Sequence, residues 1–269
     1  MKPILTWRRS IVSGGVVLAA YAVFLIMLAP AALIDAGVQR ATHGMLRLAQ
    51  ATGTLWSGSG RLEIRDPDGH AGVGKDLDWT LQLRALLHGQ LDYQVSIDHA
   101  DTRFPLHLSA RRIELSHVDF SLPAAALGMA VPRMAPLGLR GEIQFHIARF
   151  ARADDTVSAD AVMTWKDASS VLTAVAPLGT YELRVDSAPG SMNARLRTLG
   201  GPLQLMGGGS WHGAVSSDFS VVARVDARHH DQVAPLLRLI AIEHGDGDFA
   251  LQFNPPLGNV SPASAPGNR

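Results

Sequence analysis

One stretch of this sequence comes close to a nucleotide-binding motif. Gly69 and Gly74-Lys75 have the spacing of the phosphate-binding loop Gly-x-x-x-x-Gly-Lys-Ser/Thr. That loop needs a hydroxyl at its last position to reach a magnesium ion, and this sequence has Asp76 there. The residues around it also lack the pattern of a strand before the loop and a helix after it. We therefore interpret the stretch as a glycine-rich hairpin loop and expect no nucleotide cofactor.

A second cluster, His229-His230-Asp231, contains residue types that bind metals. Adjacent residues of a strand point to opposite faces, and no further ligand stands at the spacing that zinc sites use. The pattern favours a polar turn before a helix whose start is capped by Asp231. We expect no metal site.

Serine nucleophiles and thiols are not indicated either. Ser57, Ser59 and Ser210 lie near glycines, but Leu55 occupies the position of the first glycine that a Gly-x-Ser-x-Gly elbow would need for Ser57. The chain has no cysteine, which excludes disulfides and thiol chemistry. Lys plus Arg and Asp plus Glu both number 24, so no basic excess points to nucleic acid. We expect a protein that is not an enzyme, with no small-molecule substrate.

Two strands that combine glycines with a tryptophan stand out instead. In a strand, alternate residues share a face, so bare backbone at two glycines leaves a gap that a large ring from the same or a neighbouring strand can cover. The first such stretch lies in the first quarter of the chain, and the second has the order reversed, with the tryptophan last. The residues of these two stretches have two alternative roles, packing in the core or contact with a partner protein. The candidate structural or interaction residues are Trp56, Gly58, Gly60, Gly207, Gly209 and Trp211.

The first of these stretches also resembles a known family. Gly53-Thr54-Leu55-Trp56-Ser57-Gly58 is similar to the Gly-Thr-Val/Leu-Trp-Ser-Gly stretch of protein N of the bacterial type II secretion system. The resemblance extends to the N-terminal apolar run, to Leu33-Ile34, to 196–203 with 207–211, and to a late segment, Pro235–Ile240. It departs at 243–247, where the family has a Gly-Arg-Arg-Asp-Gly type of turn.

This resemblance implies a subunit without enzymatic activity that is anchored in the bacterial inner membrane by a single pass. It implies a periplasmic domain that assists the export of folded proteins across the outer membrane. The implied partners are the membrane, other inner-membrane subunits of the secretion system and the outer-membrane secretin. The family has no catalytic residues to transfer to this sequence.

The element that must place this domain is the uncharged run Ile11–Leu28. Its eighteen residues span roughly 27 Å as a helix, close to the thickness of a bilayer core. Lys2, Arg8 and Arg9 precede it, and basic residues stay on the cytoplasmic side. We therefore predict a cytoplasmic N-terminus at 1–10, a transmembrane anchor at 11–32, a periplasmic β-rich domain at 33–254 and a disordered tail at 255–269.

A cleaved signal peptide is the alternative for the same run. Ala29-Pro30-Ala31 offers the small residues that a cleavage site needs. The apolar run is longer than the roughly 7–15 residues usual in signal peptides, which favours the uncleaved anchor.

The rest of the chain has the two-residue period of half-buried strands. Leu91, Tyr93, Val95 and Ile97 alternate with polar residues, and similar patterns recur to Phe253 between Gly, Pro and Asp turns. The prediction is an all-β fold, a curved antiparallel multi-strand sheet after the single transmembrane helix. The strands are predicted at 79–83, 91–97, 104–109, 112–120, 143–147, 157–165, 181–185, 192–198, 203–211, 219–225 and 249–253, and short helices at 33–41, 122–129 and 231–242.

A lipid-handling protein is the alternative from a different functional class. A curved sheet with an apolar concave face can hold an acyl chain. A lipid-handling protein needs an open apolar groove between its strand faces. In a secretion subunit without a lipid site, the apolar strand faces pack against each other.

Overall fold

The computed structural model describes residues 21, 24–25, 27–65, 71–86, 89–98, 102–154, 156–188, 190–211, 219–240, 242–244 and 248–253. Most of the run Ile11–Leu28 and the whole tail after residue 254 lie outside these ranges, as do Gly69 and the turn at 245–247. The predictions for the cytoplasmic N-terminus and the tail therefore fall outside the described residues, as does most of the predicted anchor. Within the described ranges, no helix has both the length and the apolar character needed to cross a membrane.

The chain forms two compact units, Met1–Ser109 and Ala110–Arg269. In the first unit, each described strand pairs antiparallel with the next along the chain, in the order β1 to β5. Its elements are α1 (Ala32–Ala41), β1 (Leu46–Gly53), β2 (Ser57–Arg65), β3 (Ala71–Leu81), α2 (Leu83–Leu86), β4 (Leu91–Ile97) and β5 (Phe104–Leu108).

The second unit is also an antiparallel sheet, in the order β6 to β12, then β14 and β13. Two short helical segments follow β6, and another pair follows β12. Its elements are β6 (Arg112–Pro123), α3 (Ala125–Ala130), a 3-10 helix (Pro132–Leu137), β7 (Leu139–Ala153), β8 (Thr156–Ser170), β9 (Gly179–Ala188), β10 (Ser191–Gly200), β11 (Leu203–Trp211), β12 (Phe219–Val225), a 3-10 helix (Ala227–His229), α4 (His230–Ile240), β13 (Ile242–His244) and β14 (Asp248–Phe253).

The predicted all-β class, the antiparallel pairing and the small number of short helices are confirmed. Several predicted boundaries were wrong, among them the end of the late helix, since Ile242 already belongs to β13. Leu83 does not continue β3 but lies exposed in α2, because the chain must reverse after Leu81 to pair with β4. Leu122 and Pro123 are not helical but extend β6, since Leu122 keeps the alternation of Val118 and Phe120.

Capping of the late helix also differs from the prediction. Asp226, rather than Asp231, accepts a hydrogen bond from the backbone N–H of Arg228 (3.2 Å) and begins the helical segment. A 3-10 turn therefore precedes α4, and Asp231 lies exposed in the first turn of α4, where its charge faces solvent.

The core of the first unit lies on one face of its sheet, against α1. Ile34 of α1 packs on this core, and Asp35 connects α1 to β1. The Asp35 carboxylate accepts hydrogen bonds from the backbone N–H of Leu48 (2.8 Å) and from Gln39 Nε2 (2.8 Å). The Leu48 N–H lies on the side of β1 that faces away from β2, where an open sheet edge would leave it exposed. The Asp35 carboxylate therefore supplies an acceptor for this backbone donor. The buried residues of this core are Ala31, Leu48, Trp79, Leu81, Tyr93 and Val95.

The core of the second unit lies between α4 and the last strands. Val233 and Leu237 are the buried side of α4, and both are almost fully inaccessible. They pack against β12 and against Phe249 of β14, which is completely buried. The apolar stripe of a short helix thus closes one face of this sheet.

Asp35→Ala should lower the free energy of unfolding by about 1–3 kcal/mol, because it leaves the Leu48 N–H without its partner. The matched control is Asp186→Ala, which removes an exposed carboxylate 3.8 Å from Arg195 and should cost about 0–1 kcal/mol. Thermal melting of both variants measures the difference. Equal melting temperatures would show that α1 does not stabilise β1 through Asp35.

Candidate functional site

The Gly53–Gly60 stretch forms a tight turn followed by the start of β2. Gly53 pairs with Gly58, and the backbone N–H of Thr54 donates to the carbonyl of Ser57 (2.9 Å). The Thr54 hydroxyl accepts from the N–H groups of Trp56 and Ser57 (both 3.3 Å), as hydroxyls do in turns. Trp56 therefore lies in the turn, one residue before β2, although its half-buried side chain still packs against the core of the first unit.

This turn is paired with the segment that follows the apolar N-terminal run. The N–H of Leu55 donates to the carbonyl of Ala29 (2.8 Å), and the N–H of Ala31 donates to the carbonyl of Gly53 (3.2 Å). Pro30 forms an isolated antiparallel bridge with the same turn. Ala31 is 2% exposed and belongs to the core. The turn thus holds the chain in place directly after residue 28.

The two glycines of β2 allow close contacts with neighbouring strands. Gly58 lies opposite Trp79, and a Cβ atom at Gly58 would come within 2.6 Å of the indole Cζ2. The buried indole donates its Nε1–H to the carbonyl of Thr54 (3.1 Å), so the ring is fixed over the turn. At Gly60 a Cβ atom would come within 2.9 Å of a methyl carbon of Leu48. The gap predicted from the glycines is therefore filled from β3 and β1, not by Trp56.

The serines of this stretch are placed in an open polar cleft. Ser59 forms a hydroxyl–hydroxyl hydrogen bond with Thr52 (3.0 Å), and Asp78 and Ser96 continue the polar row on β3 and β4. The cleft has a volume of about 560 Å³, and Arg103 and Ser57 also line it. None of the described residues that line the cleft is a histidine.

Of the other motifs, the histidine pair lies at a turn before a helix as predicted, whereas Gly74 and Lys75 do not lie in the predicted hairpin loop. Gly74 and Lys75 lie on β3, where Lys75 forms an ion pair with Asp98, so the stretch is a strand and not a loop before a helix. His229 lies in a 3-10 turn, and His230 begins α4. No group of three or more His, Cys, Asp or Glu side chains is arranged for a metal ion among the described residues.

An apolar cavity of about 520 Å³ lies within the second unit. Its wall is the face of the sheet from β8 to β12, and its sides are α3, the following 3-10 helix and α4. Trp211 lines it and stacks on Phe219, with 6.0 Å between ring centroids and 21° between ring planes. Representative lining residues are Leu127, Leu183, Leu196, Leu205, Trp211 and Leu236.

The second glycine pair lies on the strand that lines this cavity. Gly207 is opposite Val221, and a Cβ atom there would come within 2.3 Å of the backbone oxygen of Ser220. Gly209 lies opposite Ala194, a buried residue of the cavity wall. Leu205 belongs to the same lining as Trp211, as their shared strand face predicts. Gly207 therefore lets β11 lie close to β12 beside the cavity.

Polar groups in the cavity wall are bonded to the backbone. The Ser170 hydroxyl donates to the carbonyl of Leu137 (2.5 Å), and Trp165 Nε1–H donates to the carbonyl of Arg140 (3.1 Å). The Tyr181 hydroxyl donates to the carbonyl of Leu203 (3.1 Å), and burial raises the pKa of this phenol well above its ordinary value. Tyr181 is therefore a neutral, fully engaged donor, and the cavity presents mainly hydrocarbon.

Sequence analysis missed Trp79 as the partner of Gly58, and it missed the cavity. Trp79 carried a usable signal, because it is the bulkiest apolar residue of the alternating run that includes Leu77 and Leu81. The cavity had none, since its existence depends on where the two helical segments lie over the sheet.

The fold and these sites define an all-β protein with two glycine-containing strands and an apolar cavity. The chain matches the family model of type II secretion system (T2SS), protein N, over residues 45–252. It therefore belongs to the protein N family of the type II secretion system, and the resemblance seen in the sequence is confirmed.

A curated relative supports this membership. The chain is 29% identical over 217 residues to type II secretion system protein N of Pectobacterium carotovorum subsp. carotovorum. The match covers 76% of this chain and 79% of the relative. No solved structure matches the chain. The region matched by the family model contains both glycine strands and the cavity.

Gly58→Ala should destabilise the protein by about 1–3 kcal/mol or more, because the new methyl group overlaps the Trp79 ring and the Thr52 carbonyl. Gly200→Ala is the matched control, since a Cβ atom there meets nothing within 4 Å and should change stability by no more than about 0.5 kcal/mol. Urea unfolding followed by tryptophan fluorescence measures both. If the two variants unfold at the same urea concentration, the close approach is not a constraint.

Proposed function

We propose that this chain is a non-enzymatic, single-pass inner-membrane subunit of the type II secretion system that assists the export of folded proteins. Membership of the protein N family is the observation that carries the proposal. In this proposal residues 11–32 anchor the chain, and residues 33–254 form the periplasmic part. The basic residues before the apolar run and the absence of charge within it support this orientation.

The pairing of residues 29–31 with the turn at 53–57 supports an anchor that is retained. Cleavage after Ala31 would remove Ala29, Pro30 and Ala31, and with them both hydrogen bonds and the bridge to the turn. If the apolar run is retained, the folded domain begins within about two residues of its end. We therefore infer that the turn attaches the domain closely to the membrane.

The proposed partners are other inner-membrane subunits of the secretion system and the outer-membrane secretin. The family supports a role within that machinery. The hydrocarbon lining of the cavity supports a binding or packing role for that part of the chain.

Alkaline phosphatase fused after Asn254 should be active, because this enzyme folds only outside the cytoplasm and the domain is proposed to be periplasmic. β-Galactosidase at the same site should be inactive. Leu18→Arg should reduce phosphatase activity, since a charge in mid-membrane costs about 2.5–3.5 kcal/mol of insertion free energy. Strong β-galactosidase activity with weak phosphatase activity would reverse the proposed orientation.

Trp56→Ala should lower the free energy of unfolding by about 3 kcal/mol, the lower end for a buried tryptophan, because the side chain is half-buried against the core. Any secretion defect should then follow the loss of folded protein in the membrane. Arg61→Ala removes an exposed side chain paired with Asp76 (3.3 Å) and should cost at most about 1 kcal/mol.

Thermal melting and a secretion assay on both variants separate the two roles of Trp56. A Trp56→Ala protein that melts like the wild type but fails in secretion would assign Trp56 to an interface instead of the core.

A further inference from the structure

We propose that the apolar cavity of the second unit binds the acyl chain of a lipid. The cavity lies between the sheet and the helical segments around Leu127 and Leu236, with a volume of about 520 Å³. That volume is in the range of small-molecule sites, which are roughly 300–1,000 Å³. The inference goes beyond the proposed role in secretion, and depends on it only for the membrane as a source of lipid.

The chemistry of the wall selects a hydrocarbon ligand. The hydroxyls of Ser170 and Tyr181 and the indole N–H of Trp165 all donate to backbone carbonyls. A polar ligand would lose its hydration there and find no free partner among these groups. A methylene chain loses nothing on entering, and each methylene that leaves water strengthens binding roughly fourfold.

The wall of the cavity favours an acyl chain over an added strand. An added strand would need backbone partners, and the cavity wall consists of side chains on a sheet face, not of a sheet edge.

The rim of the cavity leaves one end of such a ligand in water. Val131, between α3 and the 3-10 helix, lines the cavity and is 40% exposed. Leu205 lies on β11 in the wall. An acyl chain can therefore contact Leu205 while the polar head of the same lipid remains outside, near Val131.

The test places the photoreactive residue benzoyl-phenylalanine in the full chain in living cells. One protein carries it at Val131, a rim position that tolerates size, and another at Leu205. The matched controls carry it at Met206 and Val222, which follow cavity residues in sequence but are 66% and 45% exposed. After irradiation, mass spectrometry of the purified chains identifies any adduct.

Lipid adducts at Val131 and Leu205, with few at Met206 and Val222, are the expected result. The adduct mass distinguishes a phospholipid from a free fatty acid, and both contain the proposed acyl chain. Peptide adducts in the cavity, no adduct at Val131, or equal lipid labelling at all four positions would each overturn the proposal.

A variant that fills the cavity provides the second readout. Leu205→Trp should reduce lipid labelling from the Val131 probe about tenfold, because the larger ring occupies the proposed site. Met206→Trp, on the opposite strand face, should change it less than about twofold. Unchanged labelling in a folded Leu205→Trp protein overturns the site, whereas a cytoplasmic domain in the fusion experiment would overturn only the proposed orientation.

Discussion

The first unit depends on the backbone pairing between residues 29–31 and the turn at 53–57. These hydrogen bonds bury Ala31 in the core and fix where α1 begins. From there Asp35 accepts a hydrogen bond from the Leu48 N–H, and the Trp79 indole donates to the Thr54 carbonyl of the same turn. One short set of hydrogen bonds therefore determines the positions of a helix, a sheet edge and the largest side chain of the core.

Glycine has the same physical role in both units, with different neighbours. At Gly58 the missing side chain admits an aromatic ring, and at Gly207 it admits the backbone of the next strand. In both cases close contact between strands takes the place of side-chain volume. The family match extends over both strands, and in the second unit the glycine strand also lines an apolar cavity.

The strands were the most predictable part of the structure, because a two-residue period reports directly on a half-buried sheet. Leu91–Ile97 was predicted with the bounds that the structure has. Failures arose where local pattern and chain direction compete: Leu83 keeps the alternation of β3, but the chain must turn there. The strand parity assigned to Trp56 failed for a related reason, since the Thr54 hydroxyl closes a turn that periodicity does not reveal. The cavity depends on distances between elements, which no local pattern encodes.

Pairing in chain order has a consequence for how the protein folds. In the first unit every described strand pairs with its neighbour in sequence. Among the described strands of the second unit, the exception is β12, which pairs with β14 instead of β13. Most strand contacts therefore close short loops, which lowers the entropy lost before pairing and speeds folding. A chain that emerges N-terminus first can add strands one at a time to the growing edge, without waiting for its C-terminus. Such an order of assembly suits a polypeptide delivered gradually into the compartment where it folds.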